Sequence, residues 1–180
     1  MPLSKSLKKI AASLNKLSEK DIIKGYALVG GLSLSVWGLP RATKDIDILV
    51  ALHSINDLGN FSEILKEKGL RAKLFRGGIS DPVPYLLKAF DENVPIDMII
   101  AARKWEYEAV EKAVGVDFKG LKIPVISPEL LVIMKLKAGG PIDLLDASGL
   151  IRKKDIDMEF IEKKAKELRL SKKLERLRKL

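Results

Sequence analysis

The chain has 180 residues, 47% hydrophobic and 32% charged, which excludes a disordered segment and predicts one packed domain or a domain with a helical annex. With no cysteine and His53 as the only histidine, disulfides, zinc-thiolate sites, thiol nucleophiles and serine-histidine relays are excluded, so any metal must be held by oxygen, which favours Mg2+ or Mn2+. The net charge of +9 is uneven: from Arg152 onward twelve Lys or Arg face six Asp or Glu, and such a basic tail points to a polyanion partner.

Taken in chain order, Leu3, Leu7, Ile10, Leu14 and Leu17 share one helical stripe and predict an amphipathic first helix to about Leu17. Ala27 to Val29 reads as a buried strand, Gly31 to Trp37 as a short helix, and Ile46 to Val50 as a second strand. The longest uncharged run, Gly25 to Pro40, is too short to span a bilayer and carries Gly and Pro. The lysine-bearing start lacks an apolar signal core, so a cytoplasmic chain with no membrane association is expected. Ile55 to Lys68 predicts a helix capped by Gly69, Arg71 to Phe75 a short strand, and Arg76 to Pro84 a Gly/Pro loop. Tyr85 to Phe90 and Val94 to Ala101 form a hairpin around Asp91, Glu92 and Asn93. Lys104 to Val114 is predicted helical and Leu121 to Ile126 extended. Ser127 caps a helix through Lys137, with Pro128 at its first position. After Gly139, Gly140 and Pro141, helices follow over Ile142 to Arg152, Asp157 to Leu168 and beyond Ser171. The predicted organisation is an α/β core over residues 1–126 and a helical C-terminal region over residues 127–180 packed on it.

The chemistry concentrates between Tyr26 and Ala51. Asp45 and Asp47 are two apart in an extended segment, so both carboxylates project to one side. At a separation of about 4 Å they repel by roughly 4 kcal/mol at an effective dielectric near 20, which a cation would relieve. Asp97, set among Ile96, Met98, Ile99 and Ile100, is out of character for a buried strand and completes a three-carboxylate cluster if its strand lies beside Ile46 to Val50. Gly30 and Gly31 let the backbone approach an anion at the start of a helix, Ser33 adds a hydroxyl, and Arg41 and Lys44 supply positive charge next to the acids. These parts suit in-line attack on a nucleoside triphosphate, with Asp45, Asp47 and Asp97 as metal ligands and pyrophosphate leaving.

The stretch GGLSLSVWGLPRATKDIDILV resembles the signature of the polymerase-beta-like nucleotidyltransferase superfamily, a GG followed by DxD with a third acid on a later strand. More narrowly, GG, Gly38, Arg41, Thr43 and DID resemble small nucleotidyltransferases related to abortive-infection toxin components. The resemblance implies a nucleotidyltransferase-like mixed sheet flanked by helices, Mg2+ (or Mn2+), the three aspartates as ligands, and transfer of a nucleoside monophosphate to an acceptor hydroxyl. It also implies nucleotide contacts from Gly30, Gly31, Ser33, Arg41 and Thr43, and from Lys135 in a later helix, where solvated helix residues are the alternative reading of Lys135 and Asp143. Gly140 and Ile142 stand where relatives carry basic residues. The acceptor is open: RNA bound by the basic C-terminal helices, a protein hydroxyl or an antibiotic. The alternative function is a degenerate nucleotide-binding module or a toxin-antitoxin protein with an antitoxin-like partner. Leu170, Leu174 and Leu177 form a narrow stripe suited to a packed edge or an oligomer seam.

Overall fold

The computed structural model describes residues 2–70, 72–78, 81 and 83–179. In chain order the elements are α1 (Pro2–Glu19), β1 (Gly25–Val29), α2 (Gly30–Val36), β2 (Ile46–Ala51), a 3-10 turn (Ile55–Asp57) entering α3 (Leu58–Glu67), β3 (Lys73–Arg76), β4 (Tyr85–Asp91) and β5 (Val94–Ile100). There follow α4 (Lys104–Glu111), β6 (Val114–Phe118), β7 (Leu121–Val125), α5 (Pro128–Ala138), α6 (Pro141–Ile151), α7 (Met158–Glu167) and α8 (Ser171–Leu177). The α/β class expected from the sequence is present, with the seven strands in the order β3-β4-β5-β2-β1-β7-β6. The sheet is mixed: β2 runs parallel to β5 and β1 parallel to β7, while β1 and β2, β3 and β4, β4 and β5, and β6 and β7 are antiparallel.

The chain divides into two compact units, residues 1–33 with 42–126, and residues 34–41 with 127–180. In the first, one face of the sheet is dry. Ile46, Ile48 and Val50 of β2 lie in register with Ile96, Met98 and Ile100 of β5, and all six are buried. Tyr26 and Leu28 of β1 continue that face. The apolar stripe of α1 packs against β1, β5 and β7, burying Leu7, Ile10, Leu14 and Leu17. In the second unit α5 buries Leu130, Leu131, Val132, Ile133 and Leu136, so it is apolar nearly all round and serves as the helix on which α6 and α7 pack. Its ends are those the sequence predicts: Ser127 accepts a hydrogen bond from the Leu130 amide at 3.3 Å, and Gly139 closes the helix at φ +73°.

Two boundaries differ from expectation. The helix predicted to Val114 ends at Glu111, and Val114–Phe118 is instead a strand paired with β7. Its apolar pattern is weak, but Lys119 and Gly120 both adopt positive φ (+53° and +79°), the geometry of a tight hairpin that returns the chain onto its own backbone hydrogen bonds. The strand predicted from Arg71 begins at Lys73; Arg71 lies outside the described residues, as do Ile79, Ser80 and Pro82 of the Gly/Pro loop.

The β4 to β5 hairpin is fastened to α1 by a buried carboxylate. Asp91, 6% exposed, accepts from Ser6 Oγ at 2.7 Å and from Lys9 Nζ. Hydrogen bonds from Lys9 and then Ser6 hold its carboxyl below the usual carboxylate range, against the opposing effect of burial. A carboxyl depressed on folding stabilises the protein above its unfolded-state pKa, and that contribution disappears as pH falls through the folded value. Asp91→Asn is therefore expected to lower unfolding free energy at neutral pH by about 1 to 3 kcal/mol. Urea titrations of both proteins should show the difference shrinking as the medium is acidified below the carboxylate range.

Candidate active site

The site begins with the turn from β1 into α2. Gly30 has φ +64°, a left-handed conformation that L side chains rarely adopt. A Cβ built there would lie 1.9 Å from Asp47 Oδ2 and 2.6 Å from Asp47 Cγ, so the Asp47 carboxylate occupies the space that only glycine leaves open. Two separate constraints thus select glycine at this position. The β1 to β2 pairing sets the contact, because Val29 lies opposite Asp47 in the register. Gly31 and Ser33 are buried in the first turn, and the Ser33 hydroxyl donates to the Gly30 carbonyl at 2.8 Å. Ser33 therefore steadies the turn from within; the direct anion contact expected of it would require that bond to change.

The parallel pairing of β2 and β5 puts Asp47 directly beside Asp97. Neighbouring strands are roughly 4.8 Å apart, and residues in register project from the same face. Asp97 and Asp47 are both partly exposed, whereas Ile46, Ile48, Ile96 and Met98 face the opposite, dry side. The strand adjacency on which the cluster depended is therefore present.

The carboxylates do not, however, form a ready-made ion cage. Among the described residues, no group of three or more His, Cys, Asp or Glu side chains is gathered closely enough to hold a metal ion. Asp45 and Asp97 have partners of their own. Thr43 Oγ1 donates to Asp45 Oδ1, and Lys88 Nζ approaches Asp97 Oδ2 at 3.6 Å. Lys88 is absent from the sequence-derived site, yet the hairpin announces it: Lys88 and Asp97 face each other across the β4 to β5 ladder. Lys44 is exposed beside Asp45. The donor set still fits a hard divalent cation, since every candidate ligand is a carboxylate oxygen and two of them share a face and a register.

Arg41 and Lys135 belong to the second unit and to a different constellation. Lys135, 7% exposed, pairs with Asp143 Oδ1 at 2.8 Å and Asp146 Oδ2 at 2.9 Å, and Arg41 Nε lies 3.4 Å from the same Asp146 oxygen. Lys135 is thus a buried ion-pair partner rather than a solvated helix residue. Its burial against acids was not legible from helical periodicity, which marks Lys135 only as a neighbour of apolar Leu136.

A cavity of about 660 Å³ lies elsewhere, at the end of β1 and β2 remote from Asp47, lined by Asn15, Lys24, Tyr26, Tyr107 and Glu111. It contains none of the residues expected to act; burial pushes the Tyr26 phenol upward, and Tyr26 Oη donates to Asn15 Oδ1 at 2.8 Å.

A family model described as nucleotidyltransferase of unknown function (DUF6036) matches residues 5–178. No curated protein matches the chain. Solved structures with a similar fold include a provisional nucleotidyltransferase from Thermotoga maritima (TM-score 0.54, 15% identity, 74% of this chain and 85% of that one). An antigenic nucleotidyltransferase-like protein from Paracoccidioides brasiliensis has a TM-score of 0.55 at 16% identity, over 83% of this chain and 75% of that one. ANT(2'')-Ia in complex with adenylyl-2''-tobramycin has a TM-score of 0.51 at 16% identity, over 82% of this chain and 86% of that one. At such identities the likeness shows a shared fold.

The Gly30 contact yields a paired test. Gly59, in α3, has nothing within 4 Å of a built Cβ, so Gly59→Ala should stabilise by about 0.4 to 1 kcal/mol through the unfolded state. Gly30→Ala should do the reverse, lowering the melting temperature by roughly 2 to 4 °C for each kcal/mol lost. Thermal unfolding of the two variants side by side checks the contrast.

Proposed function

The chain belongs to the DUF6036 family of nucleotidyltransferases, and from that premise we propose that it moves a nucleoside monophosphate from a nucleoside triphosphate to an acceptor hydroxyl at the Asp45, Asp47, Asp97 face of the sheet. The observation that supports this reading most directly is the register pairing of Asp47 with Asp97 beside a glycine that admits no side chain. In the reaction the acceptor oxygen bonds to the α-phosphorus while the bond from that phosphorus to the pyrophosphate oxygen breaks. The hydroxyl proton passes to an Oδ of Asp97.

Asp45, Asp47 and Asp97 would hold Mg2+ or Mn2+, which when bound supplies neutralisation of phosphate charge and polarisation of the attacking hydroxyl. Asp97 must then exchange Lys88 for that role. Both groups are partly exposed, with side chains 27% and 47% accessible, so the pair contributes at most about 1 kcal/mol and yields readily. The side-chain space at Gly30 is taken by Asp47, so any phosphate contact of Gly30 and Gly31 runs through their backbone amides; Ser33 fixes the Gly30 carbonyl, Thr43 orients Asp45, and Lys44 offers an exposed cation. Arg41 and Lys135 are held by Asp146 within the second unit and would have to leave that pairing to meet any phosphate.

Basic side chains along α7 and α8 favour a polyanionic acceptor such as RNA. A small-molecule hydroxyl is the alternative acceptor, because the fold is shared with a protein solved bound to an adenylylated antibiotic. A second reading, a nucleotide-binding module without turnover or the toxin-like half of a protein pair, is favoured by one observation. Arg41 and Lys135, two of the three cations expected to meet phosphate, are already engaged by the protein's own carboxylates, as is Lys88 beside Asp97.

Incubation with an α-labelled triphosphate and Mg2+ should label an acceptor and release pyrophosphate, and a chelator should stop both. Asp47→Asn and Asp97→Asn are expected to lose at least about 100-fold in rate, the scale associated with removing one preorganised electrostatic contact. Undiminished transfer in both variants overturns the site; triphosphate-dependent thermal stabilisation with no pyrophosphate favours the second reading.

A further inference from the structure

The face of the sheet that carries Asp47 and Asp97 continues outward over β4 and β3, and there it changes character. In register across the strands, Lys73 lies opposite Lys88, which lies opposite Asp97, which lies beside Asp47. The same register puts Phe75 opposite Leu86 on one side of this polar row, and Phe90 opposite Pro95 on the other. Phe75 is 41% exposed and Phe90 60% exposed, unusual for aromatic side chains on ordered strands. Lys73 and Lys88 stand over the Phe75 ring at 5.2 and 5.7 Å.

The charges on this face of β3 and β4 are of one sign. The only acid on either strand is Asp91, which points to the dry face and is bound by Lys9 and Ser6. Protection of an edge strand against unwanted pairing would explain Lys73. It does not explain Phe90, an apolar ring and the more exposed of the two, which lies beyond the end of the β3 to β4 ladder. Exposed rings interleaved with cations on a sheet form the surface that single-stranded nucleic acid uses, bases stacking on the rings while phosphates meet the lysines. Leu86 and Phe90 are four residues apart, so the two rings are roughly 13 Å apart along the strands, enough for successive nucleotides to pass over the lysine row between them.

We propose that this face is the acceptor platform and that the acceptor is the 3′ end of a single-stranded nucleic acid, lying across Phe75 and Phe90 with its terminal hydroxyl directed to Asp97. The proposal rests on the transferase reading above and names the acceptor of that same site. Lys88, which holds Asp97 at rest, is drawn to the incoming phosphate and so frees the carboxylate when the acceptor is in place.

The test is binding of a fluorescently labelled single-stranded oligoribonucleotide without triphosphate. Phe75→Ala and Phe90→Ala should each weaken affinity by about 5- to 100-fold, and Lys73→Gln should reduce the slope of log affinity against log salt by about 0.7. Because these side chains are exposed, thermal unfolding of the variants should match the parent, which separates lost binding from lost folding. Equal affinity in parent and Phe90→Ala overturns the proposal. So does a concentration-dependent dimer that Phe90→Ala dissolves, since the face would then cover a second copy. Binding needs no chemistry, so the two readings fail separately. Transfer to a protein or small-molecule hydroxyl that is indifferent to Phe90→Ala overturns the platform and leaves the transferase. Phe90-dependent oligonucleotide binding without transfer from any triphosphate supports the platform and overturns the transferase.

Discussion

The missing side chain at Gly30 is the constraint on which the site depends. Because nothing projects from that Cα, the Asp47 carboxylate can lie against the backbone where β1 turns into α2. This contact is made by the protein's most ordinary device, antiparallel pairing of two adjacent strands, with Val29 opposite Asp47. The parallel neighbour β5 then brings Asp97 alongside without any loop having to fold over the site. Three strands and one glycine therefore account for the position of both acids, and none of the longer connections is needed to hold them.

Magnitudes separate the cations that can respond to a ligand from those that cannot. The Lys88 to Asp97 pair is partly exposed and long, at 3.6 Å, so its loss costs little and a phosphate or divalent ion can compete for either member. Lys135 is different, being 7% exposed and bound by two carboxylates. Removing a partner from a buried ion pair costs about 3 to 5 kcal/mol, a large share of the stability of an ordinary domain. Arg41 shares Asp146 with Lys135 but is itself more exposed, and it can swing away at a smaller cost. Of the basic residues singled out by sequence, Lys135 thus acts first as internal structure of the helical unit.

Much of this was legible in the residues because the signals were local. The apolar alternation around Asp47 and Asp97, the paired glycines and the Ser127, Pro128 and Gly139 punctuation each follow from rules that operate within a few residues. Strand β6 escaped because Val114–Phe118 is largely exposed and contains Gly115, leaving no periodic stripe; only the Lys119-Gly120 turn betrays it. Lys88 escaped for another reason. Ion-pair partners are chosen by tertiary geometry, although the hairpin register alone would have been enough to connect Lys88 with Asp97. The grouping of residues 34–41 with the C-terminal helices is likewise a matter of packing, shown by Gly149, whose absent Cβ leaves room for Leu39 at 3.1 Å.

Burial along a single row of the sheet explains why the acids stand where they do. One register step from the carboxylates, Ala27 and Leu49 are fully buried, Ile99 and Leu86 are half-buried, and Phe75 is exposed. The face therefore grades from dry at β1 to open at β3, and Asp47 and Asp97 lie on the strands where the change occurs. On the dry side a low effective dielectric strengthens every charge interaction, while on the open side a large substrate can approach without a pocket. Carboxylates farther toward β1 would pay more for burial than their partners could return, and carboxylates farther toward β3 would be screened by water. Among the described residues, this boundary is where strong electrostatics and access for a large ligand coexist.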